Sequence, residues 1–362
     1  MAVHQREVTM GRRQALLIKV RRQYLMEDGF GALADQGRST WLGDIRVSFV
    51  NELGAEEAGI DQGGPFKEFI SQLSALAFSP AFGLFSSTSV EHLLFPSPSS
   101  YVHGTDHADL FRFMGKVLAK AVYEGILVDA PFASFFLAKL LGRNIFIEQL
   151  QELDADMFRN LMFLKKYEGD VEDLCLTYSA DMDFFNETKT VDLKYNGRNI
   201  SVTNDNRIEY IYVMGDYMLN QRIQEQTKAF IDGFKSIISD NWIRIFSPTE
   251  LQRVISGENV DFDVSDLRNH TEYQNGAFDQ HPVIRMLWQI LQDFNSKEKR
   301  AFLKFVTSSP KPPLGGFEYL QPPFTIRLIA LSGESNFAGI SYVKNIFTPN
   351  GKDGRLPSSS TW

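Results

Sequence analysis

The chain has 362 residues, with 37 lysines and arginines against 45 aspartates and glutamates, for a formal net charge of −8. At roughly 150 residues per domain this length predicts two or three packing units. A composition of 43% apolar and 23% charged residues is globular. The acidic total argues against a general nucleic-acid binder, because neutralising phosphates takes a basic surface.

No run reaches about 18 uncharged apolar residues, so no segment is expected to enter a membrane. The best stretch, 122–141, is broken by Glu124, Asp129 and Lys139. The first residues lack the apolar core of a secretory signal, and the single cysteine, Cys175, allows no internal disulfide and no paired-cysteine zinc site. The expected setting is cytoplasmic or nuclear.

In chain order, residues 1–30 read as a basic helical extension, with Arg12, Arg13, Lys19, Arg21 and Arg22 around Leu16, Leu17 and Val20. Ile45, Val47 and Phe49 alternate with Arg46 and Ser48, which predicts a strand. Gly63-Gly64-Pro65 breaks the chain, and Pro65 suits the first turn of a helix carrying Phe66, Phe69, Ile70, Leu73 and Ala77 on one face. Residues 79–106 read as a surface excursion rich in Ser, Pro and Phe, followed by apolar helices near 108–125 and 131–141.

From Asp154 to Tyr217 a small α+β subdomain is predicted. It comprises a helix with Met157, Leu161 and Leu164, alternating segments near 174–178 and 191–202, then a helix through Tyr210, Val213 and Tyr217. Ser247, Pro248 and Glu250 form a capping box for a helix that stops at Gly257. The polar residues after it make 256–260 the candidate hinge. Helices near 283–294 and 298–306 and a strand near 324–331 complete the chain.

Residue chemistry alone points to no reaction. Gly29-Phe30-Gly31 fits the loose dinucleotide pattern, yet Arg21–Asp28 before it reads as helix where that motif needs a strand. His103 and His107 with Asp106 lack a third metal ligand and read as solvated loop residues. Gly333-Glu334-Ser335-Asn336-Phe337 misses the second glycine of a nucleophile elbow. Cys175 lies beside Asp170, Glu172 and Asp173, and acids disfavour a thiolate, so a structural or groove-lining thiol is expected.

Taken together, a longer series of motifs is far more specific. Phe49 to Gly54, Gly59 to Phe69, Gly115-Lys116, Leu127 to Phe132 and Val202 to Asn206 occur in order. Ala229 to Phe234, Thr249 to Leu251, Phe305 to Thr307, Pro313 to Phe317 and Leu356 to Thr361 follow. This order resembles the HECT-type ubiquitin-protein ligases across residues 40–361.

The resemblance implies an α+β, bilobal fold. A mostly helical N-lobe over 31–256 would carry the inserted subdomain at 155–217, which docks a ubiquitin-conjugating enzyme. A hinge at 257–260, involving Gly257, Glu258 and Asn259, would lead to a smaller C-lobe over 261–362. It also implies the partners: a conjugating enzyme, ubiquitin and protein substrates. Ubiquitin would pass between two cysteine thioesters and then to a substrate lysine, an exchange nearly balanced in energy that needs no metal or soluble cofactor.

On the same resemblance the docking groove comprises Met157, Leu161, Leu164, Tyr167, Asp173, Tyr210 and Met214, with Tyr210 expected as a partly exposed anchor. Met157, Leu161 and Leu164 share a helix face, which ordinary core packing would also explain. The family's thioester cysteine falls at Trp362, whose indole carries no acyl group by this chemistry, and the family's closing strand and helix are absent. Ser308 also stands where the family commonly has glycine. The favoured reading is a truncated or frame-shifted product of an active ligase. The alternative is a short isoform or scaffold that binds conjugating enzyme without transferring ubiquitin.

Overall fold

The computed structural model describes residues 15–51, 55, 64–184, 187–258, 262–307, 309–320, 323–330, 338–342 and 345–347. Buried apolar side chains in them form two clusters, one drawn from residues 18–255 and the other from 262–326.

The first element corrects the expected basic helix. Leu16–Arg21 is a strand, β1, paired in parallel with β2 (Ile45–Val50), Ile18 lying opposite Val47 and Val20 opposite Phe49. Ile18 and Val20 point inward while Lys19 and Arg21 stay exposed, so the basic residues occupy the outer face of a period-two pattern. Helix α1 (Leu25–Leu33) follows, with Gly29 inside it against the ring of Phe69, so no phosphate-binding turn exists there.

Helix α2 (Gly64–Ala77) buries Phe66, Phe69, Ile70, Leu73 and Ala77, the face its spacing predicts. The segment after it is more than a surface excursion. Strands β3 (Phe85–Ser87) and β4 (Leu94–Pro96) pair antiparallel, and Phe85, Leu94 and Phe95 enter the larger core. His103 stacks on Phe82 and bonds its carbonyl at 2.7 Å. His107 is buried, with Nδ1 3.3 Å from the Ser100 hydroxyl. Both histidines are therefore tied into the fold, and no group of three metal-ligating side chains occurs among the described residues.

Helix α3 (His107–Glu124) is the central rod, and α4 (Ser134–Leu140) adds Phe135, Phe136, Leu137 and Leu140 to the same core. Lys116 and Lys120 of α3 use their ammonium groups as structural donors. Lys116 reaches the carbonyls of Ala34 and Gln36, satisfying the end of α1, and Lys120 reaches Gly43 and Glu124. Helix α5 (Gln224–Ile237) crosses α3 at backbone contact: a Cβ on Gly115 would lie 2.1 Å from the Phe230 carbonyl oxygen.

Helix α6 (Pro248–Ser256) opens with the expected capping box. The Ser247 hydroxyl accepts from the Glu250 amide at 3.2 Å, and the Glu250 carboxylate accepts from the Ser247 amide at 2.7 Å. These hydrogen bonds hold the Glu250 carboxyl below the usual carboxylate range. The helix ends at Gly257, whose φ of 70° and ψ of −177° suit glycine. Of the candidate hinge, Gly257 and Glu258 are described; Asn259 lies outside the described residues, as does Trp362.

The second cluster gathers α7 (Val264–Asn269), α8 (Pro282–Asp293) and α9 (Ser296–Thr307) around Trp288, Leu291 and Leu303. Beside them lies a four-stranded sheet in the order β8–β7–β6–β5, from β5 (Glu272–Gln274), β6 (Thr325–Ala330), β7 (Ala338–Tyr342) and β8 (Asn345–Phe347). Strand β5 runs parallel to β6, and the other pairs are antiparallel. The two clusters meet at Lys311, whose ammonium lies 3.1 Å from the Asp129 carboxylate. A cleft of about 350 Å³ opens there, lined by Phe78, Leu94, Leu127, Pro131, Lys304 and Pro310. No helix among the described residues is long and apolar enough to cross a membrane.

Candidate functional site

The site is built from two helices and a hairpin. Helix α10 (Ala155–Lys166) is capped by Asp154, whose carboxylate accepts from the Met157 amide at 2.9 Å, and it ends on Lys165 and Lys166, the sign its dipole favours. A short turn over Val171–Leu174, capped by Asp170, leads to Cys175 at a φ of 50°. The strands of the hairpin, β9 (Ser179–Phe184) and β10 (Glu187–Asp192), lie later and earlier respectively than the expected 174–178 and 191–202 segments. Helix α11 (Arg207–Leu219) closes the unit.

The groove residues expected from resemblance divide by depth. Leu161, Leu164, Tyr210 and Met214 are buried, Met157 and Tyr167 are half-buried, and Asp173 is exposed. The expectation of a partly exposed Tyr210 therefore fails: the ring is 6% exposed and meets the Tyr178 ring edge-on at 5.4 Å. The Leu161–Leu164 stripe is core, as the plain amphipathic reading allowed.

Two surface rings lay outside that stripe. Phe163 is 60% exposed and sits 5.5 Å from the Tyr167 ring, while Tyr212 is 58% exposed on α11. An exposed aromatic on a helix already presenting a buried stripe is the signal that could have found Phe163. Arg207 ties the helices together, donating from Nη1 to the Tyr167 carbonyl at 2.6 Å. Glu168, Asp170, Glu172 and Asp173 are all exposed just beyond Tyr167. The result is an aromatic pair beside a run of acids, suited to a partner that offers an apolar projection flanked by basic groups.

At the first turn of α11, Tyr178 and Lys194 converge on Glu209. The Tyr178 hydroxyl donates to Glu209 at 2.9 Å, and the Lys194 ammonium donates to both Glu209 oxygens at 3.1 Å. Lys194 and then Tyr178 hold the Glu209 carboxyl below its ordinary range. On the far side, Lys139 of α4 donates to the Leu219 carbonyl at the end of α11, and burial lowers its pKa to about 8. Cys175 is exposed, with Sγ 3.8 Å from the Asp173 carbonyl, and does not occupy an inward-facing strand position.

Comparison with known proteins is consistent across kingdoms. The HECT-domain (ubiquitin-transferase) family matches residues 71–361. Ubiquitin-protein ligase E3B of Homo sapiens is 46% identical over 354 residues, covering 95% of this chain and 33% of that protein. E3 ubiquitin-protein ligase UPL6 of Arabidopsis thaliana is 40% identical over 88% of this chain and 31% of its own length. E3 ubiquitin-protein ligase HUL5 of Saccharomyces cerevisiae is 38% identical over 87% and 34%. The chain thus spans about a third of the length of these relatives. With the family match running into both hydrophobic clusters, and through the α10–α11 unit that belongs to the first, the chain belongs to the HECT-domain family of ubiquitin transferases.

Proposed function

We propose that this chain is the conjugating-enzyme-docking and ubiquitin-handling portion of a ubiquitin-protein ligase, with the 155–217 subdomain as the docking face. The observation that supports this reading is the exposed Phe163 ring against the half-buried Tyr167, beside the acidic run from Glu168 to Asp173; Tyr167 and Asp173 are themselves groove positions implied by the family resemblance, and Phe163 adjoins them. Leu161, Leu164, Tyr210 and Met214 form the floor, and the conjugating enzyme contacts the rings and acids above it. Replacing Phe163 and Tyr167 together with alanine is expected to weaken binding of a conjugating enzyme by at least about tenfold, the size of a modest aromatic hot spot. Titration of the labelled enzyme against the folded double variant measures it, and unchanged affinity contradicts the assignment.

The lobes of the ligase correspond in this reading to the two hydrophobic clusters, pivoting at Gly257 and Glu258. The Lys311–Asp129 pair spans the clusters, and salt-screened contacts of this kind leave room for reorientation. Proline at 257 would break the turn outright, because its φ is fixed near −65°. Gly257→Ala is the better probe, since alanine at that φ and ψ costs about 1–3 kcal/mol. Distances between a dye on Cys175 and one on a cysteine introduced in α8 are expected to shift in the variant. An unchanged distribution would argue against the pivot.

Ubiquitin transfer itself needs a thiol, and the step we assign to this polypeptide is docking of the charged conjugating enzyme. The polypeptide's one cysteine, Cys175, is placed by this reading at the docking face.

A further inference from the structure

We infer that Tyr178 is a positioning residue for the docking face, acting through the first turn of α11. The inference rests on the docking reading above and asks what fixes that face.

Tyr178 is fully buried, yet its hydroxyl lies 2.9 Å from both the Glu209 carboxylate and the Asn206 carbonyl, its one proton shared between the two acceptors. A residue that only filled space would need no such pair. The ring face carries the Lys194 ammonium at 3.5 Å, the same ammonium that holds Glu209. The ring edge meets Tyr210.

The backbone of Tyr178 is equally constrained. Its amide is shared between the carbonyls of Gly197 and Ile200 at 3.1 and 3.2 Å, and its carbonyl accepts from Leu193 at 2.9 Å. A Cβ on Gly197 would lie 2.1 Å from that carbonyl oxygen, so the strand-end loop closes flush on Tyr178. The hairpin is in this way anchored at one residue, and that residue grips Asn206 and Glu209.

Between those two contacts stands Arg207, the donor to the Tyr167 carbonyl. A continuous path runs from the hairpin through Tyr178 to the start of α11, and from Arg207 to the Phe163–Tyr167 pair. Burial and the Glu209 contact push the hydroxyl's pKa upward, which keeps it a donor across the working pH range. Without the hydroxyl, Glu209 is left to Lys194, and the first turn of α11 loses its hydrogen bond to Tyr178.

The test is a double-mutant cycle between Tyr178→Phe and Phe163→Ala, read as affinity for a conjugating enzyme; the probe is the tightest binder to the wild-type chain from a purified panel. Phenylalanine keeps the ring and the volume, so the variant folds, and circular dichroism with a urea titration verifies it. Tyr178→Phe is expected to weaken binding about fivefold, the size of one ordinary intramolecular hydrogen bond. In the Phe163→Ala background the same change is expected to cost less than about twofold, because the ring it positions is gone. Wild-type affinity in Tyr178→Phe, or the same fivefold loss in both backgrounds, overturns the inference. If no conjugating enzyme binds, or Phe163→Ala with Tyr167→Ala leaves binding intact, the docking reading itself has failed.

Discussion

Gly233→Ala is expected to destabilise the larger core by about 3 kcal/mol, and Gly115→Ala by a similar amount. A Cβ at 233 would lie 1.9 Å from the Arg112 carbonyl oxygen, and one at 115 would lie 2.1 Å from the Phe230 carbonyl oxygen. Both obstacles are backbone atoms, so no side chain can rotate aside. Helices α3 and α5 would have to separate, loosening Phe111, Met114, Phe230 and Phe234, all buried between or beside them. Gly31 supplies the control: it lies in α1 with nothing within 4 Å of an added Cβ, and alanine there gains about 0.5–1 kcal/mol of helix propensity. Urea denaturation of the three variants measures the difference. Equal midpoints for Gly233→Ala and Gly31→Ala would contradict the close crossing.

Phe85→Ala is expected to cost about 4 kcal/mol, at the level of other buried aromatic truncations. Its ring lies within 5.0 to 6.3 Å of those of Phe78, Phe111, Phe132, Phe136 and Phe230. Removing it leaves a void at a junction of five rings, which the packed helices around it cannot close. Val90, five residues later and 67% exposed, belongs to the same Ser- and Pro-rich segment. Its replacement by alanine should change stability by no more than about 0.5 kcal/mol. A urea midpoint for Phe85→Ala as high as that of Val90→Ala would return the segment to the surface role its composition suggests.

That contrast shows where the sequence was and was not legible. Helices α2, α3 and α6 were readable because their apolar spacing, the glycine–proline break and the capping box are local signals. Strand β1 was misread because its basic residues look helical in isolation. What makes it a strand is its parallel partner β2, some thirty residues later, a non-local pairing that no window of sequence contains. The β3–β4 hairpin was hidden for a related reason, since composition reported its exposed polar turns and not the aromatic cluster its ends complete.

At the site, the resemblance gave positions and the residue pattern gave faces, but neither gave depth. Tyr210 is buried because Tyr178 and the hairpin close over it, an arrangement that depends on Gly197 meeting Tyr178 backbone to backbone. The stripe at Met157, Leu161 and Leu164 identified the side of α10 that packs inward. Phe163, on the neighbouring flank, is off that stripe and for that reason faces solvent. The aromatic that meets a partner and the aromatics that hold the helix in place thus differ, and periodicity alone selects the latter.

A single-turnover assay on the 362-residue polypeptide tests the central claim most directly. A conjugating enzyme charged with fluorescent ubiquitin is titrated with the wild-type chain and with the Phe163→Ala/Tyr167→Ala variant, followed by anisotropy and then by non-reducing gels. The account predicts saturable binding to the wild type, binding at least about tenfold weaker to the variant, and no reducible ubiquitin adduct on either. Equal binding by the two chains would contradict the docking assignment, and a reducible adduct on the wild type that disappears in Cys175→Ala would make Cys175 an acceptor and contradict its reading as a docking-face thiol.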